Sequence, residues 1–411
     1  MKRFAQLLRF RFPVVVVAFQ LAAMHASDAQ DSAVQNENKS VPAQVTWHVA
    51  NNGIDSPDCG KRKGPCRSIS QAIHNAAAGD TVSVGPGIYG DVNHDEDYND
   101  PGDEHLAPNG ECIVCVDKRL RLISTDGAQN TVIRRSRFDP VVFLANVVAL
   151  TAPGIRFGDS GRGFTVRGGE GGRGVAVASL DVTDVRITGN IILDFFAFGL
   201  TAFGSGVCAE NVVTGSNIGF TVGGNWRVID NLAIANNILG IGAGGEFALL
   251  RGNISTNNGR GFTVNPERAI VERNIASGSA GEGELGVGFA IFRTNIRFVH
   301  NTAVGNRGFG VWFFAEGAEL PIFKRNNFVG NDRVSNCGFV NQSGLDVDAR
   351  QNYWGAATGP GPDPADNGGP NSGCDLSGST IVTPFATSPV PTEKRRHDSG
   401  ASSAATSVPS G

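Results

Sequence analysis

Asparagine returns at a nearly fixed interval through the middle of this chain. Successive members are separated by 21, 20, 22, 21, 27, 25 and 26 residues, and they are Asn190, Asn211, Asn231, Asn253, Asn274, Asn301, Asn326 and Asn352. Each follows a short apolar run such as Val185-Arg186-Ile187, and a glycine opens another run, as in Gly219-Phe220-Thr221-Val222. A period of about 20 to 25 residues with short strands predicts a solenoid of stacked parallel β coils.

The asparagines have a physical reason to recur at one corner of each coil. Asparagine tolerates the left-handed backbone conformation that a sharp turn requires. Stacked coils lie about 4.8 Å apart, so identical amide side chains can hydrogen-bond along the stack. We therefore assign the asparagines to turns and to a ladder, and we assign most of the 55 glycines to turns as well.

The first 29 residues have the form of a secretory signal peptide. Four Lys or Arg residues precede an apolar run from Val14 to Ala23, and Ser27-Asp28-Ala29 is typical of a cleavage site. The apolar run is too short to span a bilayer, so we expect a secreted or periplasmic protein without a membrane span. Cleavage would remove four basic residues and one acidic residue from a chain of net charge −4, leaving about −7, which disfavours nucleic acid as a partner.

The seven cysteines suit an oxidising compartment. Two pairs bracket loops and are predicted to be disulfides: Cys59 with Cys66, and Cys337 with Cys374. Cys112 and Cys115 form a lone C-x-x-C, which favours a local disulfide or two buried thiols over a zinc site. Cys208 lies in a buried strand pattern and is predicted to be an inert core thiol.

The chain divides into four segments by composition. After the signal peptide, 1–29, we expect a disordered linker over 30–45, a folded domain over 46–387 with its caps, and a disordered tail over 388–411. Near the start of the domain, a helix is predicted from the N-cap Ser68 to Gly79. Such a helix would cover the sheet edge at the head of the solenoid.

Both ends of the domain resemble a known family. The stretch from Cys59 to the helix and the run Gly85-Pro86-Gly87-Ile88-Tyr89 resemble the first coil of secreted bacterial right-handed parallel β-helix proteins of the pectin-lyase-like superfamily. Asn352-Tyr353-Trp354-Gly355 is similar to their closing segment. The resemblance covers roughly residues 46–386 and implies an all-β fold, a single-stranded right-handed parallel β-helix with an N-terminal capping helix.

The resemblance does not carry over a catalytic site. The superfamily contains lyases, hydrolases, esterases and epimerases, so its fold leaves the activity open. A Gly-His-Gly with paired aspartates, a Gln-Asp-Thr and an Asp-Pro-His-Asp are all missing from the sequence. If the protein is an enzyme, we expect a polysaccharide lyase or a glycoside hydrolase.

One strand breaks the repeat pattern with a large aromatic side chain. In Gly310-Val311-Trp312-Phe313, alternation places Val311 and Phe313 inward and Trp312 on the outer face. An insertion in the coil before it and a loop just after it are predicted to wall a groove over Trp312. The acidic residues of these loops are candidate acid and base groups, and they are Glu282, Glu284, Glu316 and Glu319. Trp312 and Arg293 are the candidate substrate-binding residues, although a loop or the tail could instead cover Trp312.

An acidic segment before the second coil is the only metal candidate. Oxygen ligands at alternate positions resemble the start of a calcium loop: Asp91, Asn93, Asp95 and Asp97. The sixth position is Glu96 rather than glycine, so a solvated insertion is the competing interpretation. No other cofactor is indicated.

The sequence therefore favours a monomeric, exported β-helix protein that binds or processes a polysaccharide or cell-surface glycan in a lateral groove. The alternative is a non-catalytic surface or matrix protein, or an adhesin-like structural protein. His300 directly precedes a ladder asparagine, and we interpret it as a turn residue rather than a base.

Overall fold

Parallel strands are the main secondary structure of the computed structural model, which describes residues 44–92, 103–104, 111–135, 146–169, 172–281, 286–315, 319–370 and 372–391. All of these residues belong to one unit that begins at Gln44. Strands from neighbouring coils pair in parallel register, coil upon coil. The chain is a parallel β-helix, as the asparagine period predicts.

Three sheets run along the unit, called first, second and third in the order in which one coil visits them. The first sheet contains β4 (Cys112–Val116), β7 (Asn146–Leu150), β10 (Arg173–Val177), β21 (Phe289–Ile291) and β24 (Val311–Phe313). The second contains β1 (Thr46–Val49), β2 (Thr81–Val84), β5 (Arg121–Ser124), β8 (Arg156–Phe157), β11 (Val185–Thr188), β22 (Ile296–Val299) and β25 (Ile322–Lys324).

Long strands join the first and second sheets in the middle and at the end. They are β13 (Phe198–Ala209), β15 (Ile218–Ile229), β17 (Leu239–Arg251), β19 (Arg260–Glu272) and β27 (Phe339–Asp348), and β28 (Asp375–Ile381) pairs along β27. The third sheet contains β3 (Gly87–Gly90), β6 (Thr131–Arg134), β9 (Thr165–Arg167), β12 (Ile191–Leu193), β14 (Val212–Thr214), β16 (Leu232–Ile234), β18 (Ile254–Thr256), β20 (Ile275–Ser277), β23 (Thr302–Val304) and β26 (Asn327–Val329).

Alternation along the strands sends apolar side chains into the centre of the coils. Phe262 and Phe289 are register partners, and their rings stack with centroids 4.6 Å apart. Val311 and Phe313 are fully buried in the same core, as predicted.

The predicted asparagine ladder is confirmed. From Asn190 to Asn352, each Nδ2 donates to the Oδ1 of the next asparagine at 2.9–3.3 Å. The backbone N–H of each donates to the same oxygen at 2.8–3.0 Å. Because the amides are fully buried, these bonds tie each coil to its neighbour without competition from water.

The expectation that the asparagines themselves take the left-handed conformation is wrong. The positive φ belongs to the residue before each of them: Gly189, Glu210, Asp230, Gly252, Arg273, His300, Arg325 and Gln351. Because the amide must point into the stack to reach the next coil, the preceding residue makes the turn. His300, with φ of 57°, is a turn residue as predicted.

A second ladder lies five residues further along several coils, and the sequence analysis missed it. Asn236 Nδ2 donates to Asn258 Oδ1 at 2.9 Å, and Asn306 Nδ2 donates to Asn331 Oδ1 at 2.8 Å. Asn331 Nδ2 in turn donates to the buried Asp366 at 2.6 Å, and burial raises the pKa of Asp366 to about 6. Four first-ladder asparagines are followed by a second asparagine at this offset, which is the signal that could have revealed it.

The single described helix, α1 (Ile69–Asn75), is shorter than predicted at its C-terminal end. Ser68 is the N-cap, and its Oγ accepts from the Gln71 N–H at 3.1 Å. The helix ends where the backbone of Ala76 becomes extended. Lys118 Nζ donates hydrogen bonds to the carbonyl oxygens of Ile73 and Ala76, at 3.1 Å each. It packs against β1, β2 and β4, with Ile69, Ala72 and Ile73 buried.

The described residues extend to 391, four residues beyond the boundary predicted at 387. Val390 donates its backbone N–H to Asn327 Oδ1 at 2.8 Å and accepts from Asn327 Nδ2 at 3.0 Å, so this segment is tied to the third sheet. The predicted signal peptide lies outside the described residues. Within the described part of the chain, no helix has the length and apolarity needed to cross a membrane.

Candidate functional site

The side chains of strand β24 alternate between the two faces of the first sheet as predicted, and Trp312 lies on the outer face. Val311 and Phe313 belong to the main core, whereas Trp312 belongs to a separate apolar cluster. That second cluster contains Val287, Ala290, Cys337, Val340 and Cys374 beside the indole. Cys337 and Cys374 of this cluster are joined by a disulfide.

Three outward rings form what we call the outer aromatic cluster: Phe292, Trp312 and Phe314. Phe292 meets the indole edge to face, with ring centroids 5.8 Å apart and an interplanar angle of 76°. Phe314 lies 5.8 Å from the indole at 31°, and 6.4 Å from Phe292. Phe292 and Phe314 each follow a core strand by one residue, so alternation brings them level with each other on the outer side.

Trp312 is outward but is not the exposed platform that we expected. Only 8% of Trp312 is exposed, because Phe292 and Phe314 pack on its ring and its Nε1 donates to Gln342 Oε1 at 3.0 Å. Phe314 is 42% exposed and is the most exposed ring of the three, whereas Phe292 is half-buried. The sequence analysis did not single out Phe292, Phe314 or Gln342, although the same alternation that placed Trp312 outward applies to both phenylalanines.

Polar side chains border the cluster. Arg293 directly follows Phe292 and is exposed, and Asn265 is an exposed amide beside Phe292 on the preceding coil. Glu319 is exposed in the segment after Phe314. Glu282, Glu284 and Glu316 lie outside the described residues, so the predicted wall of carboxylates stays a prediction.

The outer face is flatter in the preceding coils. The residues that pair in register with Trp312 on successive earlier strands form a column along the outer face. They all have small side chains: Thr201, Thr221, Gly242, Thr263 and Ala290. The side chains therefore increase sharply in size between Ala290 and Trp312. A ligand lying along the first sheet would pass over these small side chains and then contact the outer aromatic cluster.

The acidic segment of the calcium hypothesis is described only at its ends. Asn93, Asp95 and Asp97 lie outside the described residues, whereas Asp91 is fully buried. Asp103 Oδ1 accepts from the Val92 N–H at 2.8 Å and so closes the segment on itself.

Glu104, at the end of that segment, has a structural role. Its carboxylate accepts from the Ile69 N–H at 2.5 Å, the Ser70 N–H at 2.8 Å and the Ser70 hydroxyl at 2.5 Å. Burial raises the pKa of Glu104, and the bonds from Ser70 and Ile69 act in the opposite direction. This carboxylate is committed to the first turn of α1.

The cysteines and carboxylates of the described residues do not make a metal centre. Asp55, Cys59 and Cys66 come together, but the two cysteines are disulfide-bonded and Asp55 Oδ1 accepts from the Arg67 and Ser68 N–H groups. The predicted pairs Cys59–Cys66 and Cys337–Cys374 are both present as disulfides. Cys112 and Cys115, predicted to be either a local disulfide or two buried thiols, form a disulfide. Cys208 is a buried free thiol, and burial raises its pKa.

No protein-family model and no curated protein sequence matches the chain. Among solved structures, it is similar to a pectate lyase at 15% identity and a TM-score of 0.46, covering 68% of this chain and 79% of the lyase. It is also similar to the A-module of a mannuronan C-5 epimerase from Azotobacter vinelandii, at 16% identity and a TM-score of 0.47. That match covers 78% of this chain and 93% of the A-module. A rhamnogalacturonan lyase matches at 15% identity and a TM-score of 0.43, covering 84% of this chain and 86% of the lyase.

Proposed function

We propose that this protein binds a polysaccharide or cell-surface glycan on the outer face of the first sheet, over the outer aromatic cluster. The supporting observation is an exposed Phe314 ring held against a buried Trp312. Sugar rings present apolar C–H faces, and aromatic rings are the side chains that pack on such faces with large contact area.

Rigidity is the second support for binding at this place. Trp312 is fixed by its hydrogen bond to Gln342, and the disulfide-bonded Cys337 and Cys374 belong to the same buried apolar cluster as the indole. A ring that is already immobile loses little conformational freedom when a ligand packs on it, which favours binding. Arg293 and Asn265 then offer a cation and an amide to the substituents of the sugar.

Turnover is a separate part of the proposal. Glu282, Glu284, Glu316 and Glu319 would act as acid and base if their carboxylates face each other across the bound chain at a suitable separation. The four glutamates can be replaced with glutamine one at a time. If two of them perform the chemistry, those two variants should lose product formation while their affinity stays within about threefold of wild type. Loss of binding together with activity would instead indicate a contact role.

We further propose that residues 1–29 direct export and that the protein acts outside the cytoplasm as a monomer. The three disulfides among the described residues support an oxidising compartment. Calcium binding by Asp91, Asn93, Asp95 and Asp97 belongs to the same proposal, because these are oxygen ligands of the type that calcium prefers.

A panel of neutral and acidic polysaccharides tests the proposed function. Affinity gel electrophoresis reports binding, and the release of reducing ends or unsaturated sugars reports turnover, with calcium and with a chelator. We expect at least one polymer to retard the protein. Retardation by none of them, in either condition, would rule out the proposal and favour a structural role.

A further inference from the structure

Strand β4 carries the Cys112–Cys115 disulfide, which the proposed glycan binding does not use. Ile113 and Val114, the two residues between the cysteines, both belong to the main core. Two consecutive inward side chains mark a corner of the coil, because alternation along an unbent strand would send one of them outward. The two cysteines therefore flank the corner, and the disulfide closes it with the Cα atoms 5.6 Å apart.

Cys115 lies on the outer face of the first sheet. It pairs in register with Ala149 on β7, and through Ala176 and Thr201 this register continues along the outer column to Trp312. Cys115 is half-buried, whereas the other five disulfide-bonded cysteines are buried. A thiol in solution can thus approach this disulfide more readily than either of the other two.

The same disulfide closes the shortest loop of the three. Its cysteines are 3 residues apart, against 7 for Cys59–Cys66 and 37 for Cys337–Cys374. The stabilisation that a disulfide gives to a fold grows with the length of the loop that it closes. Breaking the Cys112–Cys115 bond should therefore destabilise the fold least.

Hydrogen bonds hold β4 in place independently of the disulfide. Asn146 donates its backbone N–H to the Glu111 carbonyl at 2.9 Å before the pair, and Thr151 donates its own to the Val116 carbonyl at 2.9 Å after it. Because these bonds do not involve the sulfur atoms, the two thiols of the reduced protein should stay close to each other. A reduced pair held in this way can close again, which makes the reaction reversible.

We propose that Cys112–Cys115 is a thiol–disulfide exchange site that accepts two electrons from thiols in solution. A thiolate attacks Cys115 Sγ and forms a mixed disulfide, while Cys112 Sγ leaves with the electron pair of the broken bond and takes up a proton. A second thiol then attacks the mixed disulfide, which releases the two joined thiols and leaves Cys115 as a thiol. Two thiols are thus oxidised to one disulfide, and the protein gains two electrons and two protons.

This activity is independent of the proposed function. Cys112 and Cys115 lie on β4, whereas the outer aromatic cluster belongs to β24 and its neighbours, and the two sites share no residue. Phe314→Ala should leave the rate of thiol exchange unchanged. Loss of exchange without loss of glycan binding, or the reverse, distinguishes a failure of this proposal from a failure of the proposed function.

The test measures how fast each disulfide is reduced in the folded, full-length protein. Dithiothreitol is the reducing probe. Samples taken over time are alkylated and digested, and peptide mass spectrometry gives the reduced fraction of each pair. The disulfides Cys59–Cys66 and Cys337–Cys374 are internal controls, and circular dichroism follows the fold.

We expect Cys112–Cys115 to be reduced at least about tenfold faster than either control, with an unchanged circular dichroism spectrum. The bond should form again when oxidised glutathione replaces dithiothreitol. Reduction no faster than that of the controls, loss of the fold as this pair opens, or failure of the bond to re-form would each overturn the proposal.

Two single variants identify the sulfur that is attacked. Cys112→Ser leaves Cys115 as a half-buried thiol, whereas Cys115→Ser leaves Cys112, which is only 4% exposed. Oxidised glutathione should form its mixed disulfide with Cys115 about tenfold faster than with Cys112, because exposure controls access to the sulfur. Peptide mapping locates the adduct. An adduct that forms as fast or faster on Cys112 would contradict the assigned role of Cys115.

Discussion

The coils from β13 to β19 and the coils from β21 to β27 use the same ladder in different ways. In the first set, the strands run for 12 or 13 residues through two sheets, and the ladder spacing is 20 to 22. In the second set, β21 and β24 are only 3 residues long before β27 again reaches 10, and the ladder spacing is 25 to 27. The first set is called the regular coils below, and the second the irregular coils.

The comparison shows that extra residues leave the inside of the coil unchanged. Asn274 and Asn301 bond at 3.0 Å across an interval of 27 residues, the same distance as Asn211 and Asn231 across 20. The added residues change the outside, where the irregular coils carry Trp312 and Phe314. A fixed interior thus allows the outer surface to vary, and the proposed glycan site depends on the irregular coils.

The largest expected effect tests whether the interior is indeed equivalent in both sets. Asn253→Ala and Asn301→Ala each remove an amide that accepts two bonds from the previous asparagine and donates to a backbone carbonyl at 2.8 Å. Because several buried partners lose their bonds, each variant should lose about 4 kcal/mol of unfolding free energy. Urea denaturation measures both values. A difference of more than about 2 kcal/mol between them would mean that the irregular coils have a weaker interior.

The next largest effect compares how much the outer face contributes to stability in the irregular and in the regular coils. Trp312→Ala should lower the unfolding free energy by about 3 kcal/mol, because a buried ring and its bond to Gln342 are lost. Thr221→Ala, at the same column in a regular coil, should change it by less than about 0.5 kcal/mol. If the two substitutions had similar effects in thermal or urea unfolding, the outer aromatic cluster would not be a packed unit.

The ends of the two ladders provide a pH-dependent comparison. The first ladder ends at the neutral Asn352, whereas the second ends at Asp366, whose pKa burial raises to about 6. Between its ordinary value near 4 and about 6, the folded state binds more protons than the unfolded state, so this group's stabilising contribution falls as pH rises. The loss should be about 3 kcal/mol and should be complete above pH about 7.

Asp366→Asn isolates that contribution, because asparagine extends the ladder without a charge. We expect the stability of the variant relative to wild type to increase between pH about 4 and 6, as measured by urea midpoints. A difference that stays constant across this window would show that Asp366 does not titrate there.

The smallest effect concerns the exposed ring. Phe314→Ala should change the unfolding free energy by less than about 1 kcal/mol, since 42% of the residue is already exposed. A large loss of stability would assign Phe314 to packing rather than to ligand contact. Thermal unfolding is sufficient to decide between these outcomes.

Sequence periodicity predicted the scaffold because ladder residues and inward side chains repeat with each coil. It also placed Trp312 on the correct face, since alternation follows from the pleat of the strand. It did not predict that Phe292, Phe314 and Gln342 would cover the indole, because their contacts join three coils that are distant in sequence. The left-handed residue was assigned one position too late, since asparagine satisfies both the turn and the ladder rules and only the structure separates them.

The proposed glycan binding depends most on whether the exposed Phe314 ring of the irregular coils contacts the glycan. The direct measurement is an isothermal titration of the polysaccharide that binds in the panel, with wild type, Phe314→Ala and Phe196→Ala. Phe196 is 58% exposed and lies ahead of β13, at the start of the regular coils, so it serves as the matched control. We predict about tenfold weaker binding for Phe314→Ala alone, which corresponds to about 1.4 kcal/mol. Wild-type affinity in Phe314→Ala, or an equal loss in Phe196→Ala, would contradict the account.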